Sequence, residues 1–590
     1  MIERNSSTFG RWLDLAFAAA YGPHARLDPA TQAALWRRSE RAIAARVAVS
    51  GAREGALEAE LVGATLVLRD RGEPLALPLA RVGEFALHTA DLEAPRHPAL
   101  ERPDALLERL GAALCEDPGA RDRIRGELQD SVFNLAVAEA SALARSRTLA
   151  AGARWPAPLD PENLVIDGHP WHPMCKTRLG LGLAGVLRHA PENLSQGTFT
   201  FVDVADPLVQ RCGDHDGWTR LAPPAARGWA RIPVHVAQVA ALRRLLPERW
   251  GRTIVPAGVA PRSARALLSL RTVAVDDAAL HLKLALAVVT TSARRTVSAM
   301  SVHNGPPLTR LLAEIQGRDP RTRGLVILGD RAAIGLRGDP FDDRAAHLGA
   351  ILRSTPDRAA AEVHGDGHET WVSAALGERA PGSGRTFLAA LAERHGSARG
   401  LLADYVDLLV PPLLRLLSAH GVALEAHLQN TLAIVGPRGL VGFVLRDLGG
   451  IRLHRPRLRA AGHTIDVAPG SFIVTDDLDE VRDKLAHTLF HAHLAALFRW
   501  SEEALGIPAA VGWAHVRAAL DRHADEPDAA ADRLALVADR VRSKALLRMR
   551  IDERISEYTY TRVDNVLAAP AVIAGADALL HAPPPPTRSP

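Results

Sequence analysis

The sequence of 590 residues is poor in cysteine, lysine and long apolar runs, and each shortage excludes a class of protein. Three cysteines (Cys115, Cys175 and Cys212) are too few and too scattered for a disulfide framework or a CxxC metal site, which favours a reducing compartment. No window reaches the roughly 18 uncharged apolar residues of a membrane-spanning helix. The first residues lack the basic and apolar segments of a signal peptide. We therefore expect a cytoplasmic protein with no membrane partner.

The charge balance argues against a nucleic-acid partner. The chain has 71 basic and 67 acidic residues, a formal net charge of +4, and no basic run with interleaved aromatic residues. With 47% hydrophobic and 23% charged residues, the composition is that of a globular protein. A chain of this length is expected to divide into about two to four packed regions.

Only four lysines occur among the 71 basic residues: Lys176, Lys283, Lys484 and Lys544. A coding bias that turns interchangeable lysines into arginines leaves lysine where a compact point charge is needed rather than a planar guanidinium. The four lysines are therefore enriched in candidates for a chemical role. For any single one, chance survival on a solvated face is the better interpretation.

Helical and strand periodicities alternate along the chain and predict an α+β fold. Residues 1–160 mix helices with strands, 161–395 form an antiparallel-sheet region, 396–580 are largely helical around one hairpin, and 581–590 form a Pro-rich disordered tail. We expect a loop-bearing boundary at 355–385, a helix interrupted at Pro411-Pro412, and a return to helical structure over 477–550.

The run GHPWHP carries two imidazoles on a stiff backbone. Proline fixes its own φ and pushes the preceding residue to extended geometry, so we expect polyproline II, with His169 and His172 projecting from one edge. Lys176 and Arg178 share a face if the chain continues as a strand. An anion site and a rigid surface turn explain these residues equally well. A zinc site formed by the two histidines and Cys175 is a weaker alternative, because no other cluster has zinc-like spacing.

A second group of polar residues extends over 269–296. Two alternating stretches flank Asp276-Asp277, a turn signal, and place His281 and Lys283 on one strand face. A hairpin here gathers three cations and several hydroxyls: Arg271, Lys283 and Arg295 with Ser269, Thr272 and Thr296. Such a group suits a polyphosphate or a polycarboxylate, although a solvated cationic face explains this segment alone slightly better. Neither GxxxxGK[ST] nor GxGxxG occurs in the right context.

A third group combines carboxylates from two predicted strands. Glu425, His427 and Gln429 alternate onto one strand face, and Asp447 lies on the returning strand. Magnesium prefers one or two carboxylates together with phosphate oxygens and waters. An exposed polar hairpin face is an equal alternative for this segment alone. Taken together, the three groups favour chemistry on a nucleotide triphosphate and an acidic substrate, because fixed cations and a metal let two anions approach each other.

At these residues the chain resembles the IucA/IucC family, the NRPS-independent siderophore (NIS) synthetases. The family's GHPxHPxxKxRxG segment is similar to residues 168–180. Its S-x-R-T block, with a later K and R-T, is similar to 269–296, and its E-x-H-x-Q-N and R-D-x-x-G segments are similar to 425–430 and 446–450. Order, spacing and overall length agree, and the ordered set is far more specific than any one motif.

The resemblance implies an ATP- and Mg²⁺-dependent ligase of siderophore biosynthesis. Such an enzyme adenylates a carboxyl group of citrate or a related acid and condenses it with an amine, hydroxylamine or alcohol to form an amide or ester. The implied architecture is hand-like, with a mixed N-terminal thumb, antiparallel-sheet fingers and a largely helical palm, and family members are often homodimers. The alternative is a non-catalytic protein that binds a ferric siderophore or another polyanion.

The same resemblance assigns a role to each matching residue of this chain. The implied catalytic residues are His169, Lys283, Arg295 and His427. The implied ATP- and carboxylate-binding residues are Ser269, Arg271, Thr272, Lys176, Arg178, Thr296, Gln429 and Asn430. Glu425 and Asp447 are the implied Mg²⁺ ligands.

Overall fold

Three hydrophobic clusters organise the chain in a computed structural model. It describes residues 5–22, 25–69, 72–155, 159–193, 196–291, 293–339, 342–525, 528–553 and 558–581. One cluster joins the N-terminal helices and small sheet, the second lies against the large sheet, and the third fills the C-terminal half. The tail expected to be disordered falls, from residue 582 onward, outside the described residues.

The N-terminal elements are helices packed against a four-stranded antiparallel sheet. They are α1 (Ser6–Tyr21), α2 (Pro29–Arg53), β1 (Ala59–Val62), β2 (Thr65–Leu68), β3 (Leu75–Arg81), β4 (Thr89–Ala90), α3 (Pro103–Leu114) and α4 (Pro118–Ala150). Helices α2 and α4 each begin with a proline that follows an aspartate cap, Asp28 or Asp117, whose side chain accepts backbone N–H bonds. The rings of Phe9 and Phe133 meet edge to face in the core between the helices.

The central region is built on an antiparallel sheet of nine strands. Its elements are α5 (Leu183–His189), β5 (Gln196–Ala205), β6 (Val209–Gly213), β7 (Trp229–His235), α6 (Val239–Leu245), β8 (Ile254–Pro256), β9 (Arg262–Ala266), β10 (Thr272–Val275), β11 (Leu280–Leu284), β12 (Leu286–Thr290), β13 (Ala293–Arg295), α7 (Ala299–Arg318), β14 (Leu325–Leu328), β15 (Ala332–Leu336) and β16 (Gly349–Ser354). The strand order is β6-β15-β16-β11-β10-β9-β5-β7, with β8 paired to β5. The predicted antiparallel sheet is confirmed.

The C-terminal region surrounds a smaller sheet with helices. Its elements are α8 (Pro356–His364), β17 (Glu369–Val372), α9 (Phe387–His395), α10 (Ala398–His420), β18 (Val422–Ala423), β19 (Thr431–Gly436), β20 (Gly439–Arg446), β21 (Arg452–His454), α11 (Arg455–Ala460), β22 (Val474–Thr475), α12 (Leu478–Leu485), α13 (Ala495–Leu505), α14 (Ala509–His523), α15 (Ala529–Leu536), β23 (Arg540–Lys544), α16 (Leu546–Ile551), β24 (Tyr560–Asp564) and α17 (Pro570–Leu580). A π-helix, Ala486–Leu494, joins α12 to α13. Strand β14 pairs in parallel with β20 and so links the central region to this sheet.

Two local predictions were wrong, and a third was incomplete. Helix α10 continues through Pro411 and Pro412, because the leucines around them are fully buried and their packing outweighs the lost backbone hydrogen bonds. The range 355–385 contains the expected loops, but it also holds a helix and a strand, α8 and β17. Residues 540–544 form strand β23, paired with β24, rather than helix. None of the described helices is long and apolar enough to cross a membrane.

Candidate active site

The predicted hairpin around Asp276-Asp277 is confirmed as β10–β11. Thr272 pairs with Lys283, and the Leu284 N–H donates to the Arg271 carbonyl at 2.9 Å, which fixes the register. The preceding stretch is not one strand, however. Leu270 has a φ of 65°, so the chain turns between β9 and β10, and this turn holds Ser269 and Arg271.

The expected convergence of cations on this hairpin is confirmed. Arg271 donates from its guanidinium to the Thr296 carbonyl. Arg295 donates to the Thr290 hydroxyl and, at 3.0 Å, to the Thr291 hydroxyl. Burial and the neighbouring Arg271 lower the pKa of Arg295 to about 10. Two half-buried guanidiniums therefore lie close together, an arrangement that an anionic ligand would stabilise.

Asp447 connects this cationic group to the C-terminal sheet. Lys283 Nζ lies 2.6 Å and 2.8 Å from the two carboxylate oxygens of Asp447, and Arg353 Nη2 lies 3.4 Å from Oδ1. Although burial opposes it, the charges of Lys283 and Arg353 hold the pKa of Asp447 well below its usual range. Burial lowers the pKa of Lys283 to about 8 despite the Asp447 charge. Arg353 also pairs with the buried Asp330.

Glu425, His427 and Gln429 do not share a strand face. Strand β18 ends at Ala423 and β19 begins at Thr431, while the His427 carbonyl accepts two N–H bonds in a turn between them. Glu425 Oε1 pairs with Lys484 Nζ, and this charge lowers the pKa of Glu425 to about 2 although burial alone would raise it. The Gln429 carbonyl accepts from Arg446, and Asn430 is buried directly before β19.

A second cationic group lies beside Glu425 and His427. Lys544 Nζ lies 3.6 Å from the ring centroid of Tyr558, Lys484 Nζ lies 5.6 Å from it, and Arg452 Cζ lies 5.3 Å from it. Burial, together with Lys484, lowers the pKa of Lys544 to about 8. Lys484 and Lys544 lower the pKa of Tyr558 to about 8 against the effect of burial. Lys484 pairs with Glu425, and within the part of the chain that the structure describes neither Lys544 nor Arg452 forms an ion pair, so the group carries excess positive charge.

The GHPWHP run forms turns rather than polyproline II, so that prediction was wrong. His169 Nδ1 accepts the Trp171 N–H at 3.3 Å and His172 Nδ1 accepts the Met174 N–H at 3.0 Å, and these local bonds fold the backbone. The two imidazole rings lie 6.0 Å apart, centroid to centroid. Burial lowers the pKa of both, that of His172 to about 3, so both are neutral at pH 7 and carry the proton on Nε2.

Lys176 and Arg178 follow in irregular backbone and do not form a strand face. Lys176 Nζ pairs with the buried Glu192 at 2.7 Å, and Arg178 Nη2 lies 3.5 Å from the same oxygen. The charge of Arg178 contributes to lowering the pKa of Arg295, so Arg178 reaches toward the cationic group. The zinc alternative has no geometric support. Cys175 Sγ accepts from Arg46, and no group of three potential ligands occurs among the described residues.

The π-helix supports both the histidine turn and the Glu425 turn. His493 bonds the Ala426 carbonyl through Nδ1 at 2.8 Å and the Tyr405 hydroxyl through Nε2 at 2.7 Å. The His491 carbonyl accepts from the Trp171 indole N–H at 3.0 Å. A wide helical turn thus presents groups to two distant segments at once, in keeping with the frequent occurrence of π-helical turns at functional sites.

The two acidic residues proposed for Mg²⁺ have a suitable chemistry. Asp447 and Glu425 are both ionised, and both approach the glycines that follow Arg446. A Cβ atom on Gly450 would lie 2.1 Å from a Glu425 oxygen, and one on Gly449 would lie 3.5 Å from Asp447 Oδ1. Glycine keeps this space open beside the two carboxylates. The donor set fits a Mg²⁺ ion that takes its remaining ligands from phosphate and water.

Sequence reasoning missed several charged residues of the site. Lys484 and Lys544 had only the rarity of lysine as a signal, yet both are buried in the site. Arg353, Asp330 and Arg452 had no local signal, because their partners are distant in sequence. Glu162, which binds Arg446 through both oxygens, likewise shows no motif.

Sequence comparison relates this chain to siderophore enzymes. The IucA / IucC family profile matches residues 158–378, and the profile "Ferric iron reductase FhuF-like transporter" matches 401–559. "Staphyloferrin A synthase" of Staphylococcus aureus is 27% identical over 440 residues, 68% of this chain and 72% of the relative. "NRPS-independent siderophore synthetase rfs" of Rhizopus delemar is 28% identical over 69% of this chain and 66% of its own length. "D-ornithine--citrate ligase" of S. aureus is 25% identical over 51% of this chain and 50% of its own.

Structural comparison identifies the same fold in solved proteins. The petrobactin biosynthesis protein AsbB from Bacillus anthracis superposes with a TM-score of 0.74 at 17% identity, over 91% of this chain and 96% of its own. ATP-bound aerobactin synthetase IucA from Klebsiella pneumoniae superposes with a TM-score of 0.69 at 18% identity, over 90% and 99%. The ordered motifs, the family profile and the shared fold agree: the chain carries an IucA/IucC family domain over residues 158–378 and is similar, over about two thirds of its length, to NRPS-independent siderophore synthetases.

Proposed function

We propose that this protein is an ATP-dependent ligase that joins a carboxylic acid of the citrate class to an amine, hydroxylamine or alcohol during siderophore biosynthesis. The observation that carries the proposal is the excess of buried positive charge around two ionised carboxylates. Buried cations without enough counter-charge are costly alone, so they favour a strongly anionic ligand. The names of the relatives, which include a synthase and citrate ligases, support the same reaction class.

The two cationic groups suit the two anionic substrates. The hairpin group of Arg271, Lys283 and Arg295, with the hydroxyls of Ser269, Thr272 and Thr296, would hold the ATP phosphates. The group of Lys484, Lys544 and Arg452 beside His427 would hold carboxylates of the acid. His169 and Gln429 would border the nucleotide and the developing adenylate. Lys176 and Arg178, which both pair with Glu192, would add positive charge to the binding site. Asn430 would fix the turn before β19.

The reaction has two steps, and the residues would serve both. A carboxylate oxygen of the acid attacks the α-phosphorus of ATP, the bond to the β-phosphate oxygen breaks, and pyrophosphate leaves. The nucleophile then attacks the acyl carbon and loses a proton, and AMP leaves with the electron pair of the broken C–O bond. Mg²⁺, held by Asp447 and Glu425, would supply charge neutralisation on the phosphates. Arg295 and Lys283 would stabilise the negative charge that the leaving groups gain.

A non-catalytic binding protein remains the competing function. Nothing in the comparisons favours it, and a receptor for an anion has no need of two acidic residues in its cationic cleft. A redox role, named by the profile over 401–559, is likewise unsupported, because an iron–sulfur centre needs cysteines and that range contains none.

The deciding experiment is a pyrophosphate-release screen. Purified protein with ATP and Mg²⁺ is offered citrate, a citrate monoamide, 2-oxoglutarate and a succinyl-hydroxamate, each with a small panel of amines. We expect release that depends on one acid, and AMP and amide in equal amounts. Tight acid binding with no pyrophosphate from any combination would favour the binding protein instead. The expected homodimer can be checked on the same sample by light scattering.

A further inference from the structure

A pocket of about 300 Å³ lies behind the histidine turn. Helices α2 and α4, the β4 segment, α13 and the 167–171 turn all contribute to its lining. Asp167, Pro170 and Trp171 line it, whereas the pKa of the intervening His169 is lowered in part by the charge of Lys544 in the cleft. One short turn therefore borders both the pocket and the cleft. The volume suits a ligand smaller than a nucleotide.

The pocket contains a carboxylate with little neutralising charge. Glu139 on α4 has a side chain only 19% exposed, and the half-exposed Arg38 lies 3.6 Å away. The Ser39 hydroxyl donates to Glu139 at 3.5 Å, and the charge of Arg46 acts on it more weakly. A buried carboxylate in this position favours a cationic partner. Burial raises the pKa of Glu139 to about 7, in agreement with weak neutralisation. Asp167, which pairs with Arg46 at 3.0 Å, adds a second negative charge to the lining.

The pocket also contains a guanidinium with unused donor capacity. Arg499 on α13 stacks over the Trp171 ring at 5.6 Å, and its closest carboxylate, Glu503, lies 3.7 Å away. Its Nε is buried and has no hydrogen-bond partner among the described residues. An unpaired buried N–H favours a ligand oxygen. The pocket thus offers separate positions for a cation and for a carboxylate.

We propose that this pocket binds the amine substrate as a diamino acid, whose second amine is the nucleophile. The ligand's ammonium group pairs with Glu139, its carboxylate with Arg499, and its aliphatic part packs on Trp171. The free amine then extends past the turn toward His169, where the acyl group is activated. This inference rests on the proposed ligase function, and it assigns the class of nucleophile that the sequence left open.

Three probes separate the two charge requirements. Ornithine carries both charged groups and a second amine, 1,4-diaminobutane lacks the carboxylate, and 5-aminopentanoate lacks the α-ammonium. Calorimetric titration of the full chain is expected to rank ornithine first. Glu139→Gln removes the negative charge at constant size, and Ala90→Phe fills the pocket from the half-buried β4. Glu393→Gln, at a 68% exposed glutamate, is the matched control.

Both pocket variants are expected to weaken ornithine binding at least tenfold and to raise the KM for the amine at least tenfold. The control variant is expected to leave both quantities unchanged. Acid-dependent exchange of pyrophosphate into ATP needs no amine and is expected to stay within twofold in all variants. Unchanged amine binding in Glu139→Gln and Ala90→Phe, or no binding of any probe to the wild type, would overturn the pocket. Lost amine binding in a protein that shows no exchange with any acid would instead overturn the ligase function and leave the pocket standing.

Discussion

Lys283 and Asp447, 164 residues apart in sequence, meet with Nζ at 2.6 Å and 2.8 Å from the two carboxylate oxygens. Lys283 belongs to the central sheet and Asp447 directly follows a strand of the C-terminal sheet, so this pair joins the two regions at the cleft. Asp447 has a φ of 69° and lies directly after β20. A non-glycine residue with a positive φ has a strained backbone, and such strain is concentrated at functional sites.

Replacing Lys283 or Arg295 by alanine is expected to abolish adenylation without unfolding the protein. Each change removes a cation of the cleft that would neutralise phosphate, so we expect a loss of at least a hundredfold in acid-dependent pyrophosphate exchange. Arg294→Ala is the matched control, because the neighbouring Arg294 is 46% exposed and pairs with Asp343 outside the group. Circular dichroism checks the fold. Wild-type exchange in either cleft variant would remove that residue from the site.

Asp447→Asn and Glu425→Gln test the metal assignment. Each removes one hard anionic donor and leaves size unchanged, so the Mg²⁺ concentration for half-maximal exchange is expected to rise at least tenfold. A magnesium titration of exchange at saturating ATP gives this number. Asp343→Asn, at an exposed carboxylate, serves as the control. If exchange falls but the magnesium midpoint stays unchanged, the two carboxylates act only as counter-ions of the lysines.

The affinity for the acid substrate is expected to fall as pH rises through about 8. The pKa of Lys544 is lowered to about 8, so Lys544 loses its positive charge above that pH in the free enzyme. When an acid is bound, its carboxylate charge keeps Lys544 protonated. Tyr558 has a similar pKa and becomes negative over the same range, which acts in the same direction. The other charges around Lys544 are Lys484, Glu425 and Arg452.

The measurement is the KM for the acid between pH 7 and 9.5. Lys544→Arg carries a guanidinium that does not titrate in this range, so its profile is expected to be flatter than that of the wild type. A profile with the same slope in the variant would assign the titration to another group. The histidines do not interfere, because they are already neutral at pH 7.

His172→Asn is expected to keep the fold, and His172→Leu is expected to destabilise it. The asparagine oxygen can accept the Met174 N–H in place of Nδ1, whereas leucine leaves this buried donor unpaired at a cost of about 1–3 kcal/mol. Thermal unfolding of the two variants gives the comparison. Equal stability of both variants would show that the backbone turn does not depend on this bond.

Lys176 and Glu192 are expected to behave as a coupled buried pair. Lys176→Met alone leaves Glu192 buried without its closest cation and is expected to cost about 3–5 kcal/mol, while Lys176→Met combined with Glu192→Leu recovers part of the loss. A denaturation-based double-mutant cycle measures the coupling. Additive effects of the two single changes would contradict the prediction.

The sequence predicted the hairpin and the convergence of its cations because alternation and a two-aspartate turn are local signals. The GHPWHP turn was mispredicted because imidazole nitrogens competed for backbone N–H groups, an effect that proline geometry does not reveal. The pairing of Arg353 with Asp330 and the position of Tyr558 depend on tertiary packing alone. The expected domain boundaries at 160 and 395 and the roles given to the site residues stay predictions.

The burial of every lysine has a practical consequence for labelling. Lys176, Lys283, Lys484 and Lys544 are 1%, 6%, 1% and 8% exposed. Amine-reactive dyes and acylating reagents would therefore leave all four ε-amino groups intact in the native protein and react with them only on opening of the structure. The rate of acylation, followed by mass spectrometry, therefore measures local opening of the structure at the cleft. Bound nucleotide should slow the reaction at Lys283 more than at Lys176.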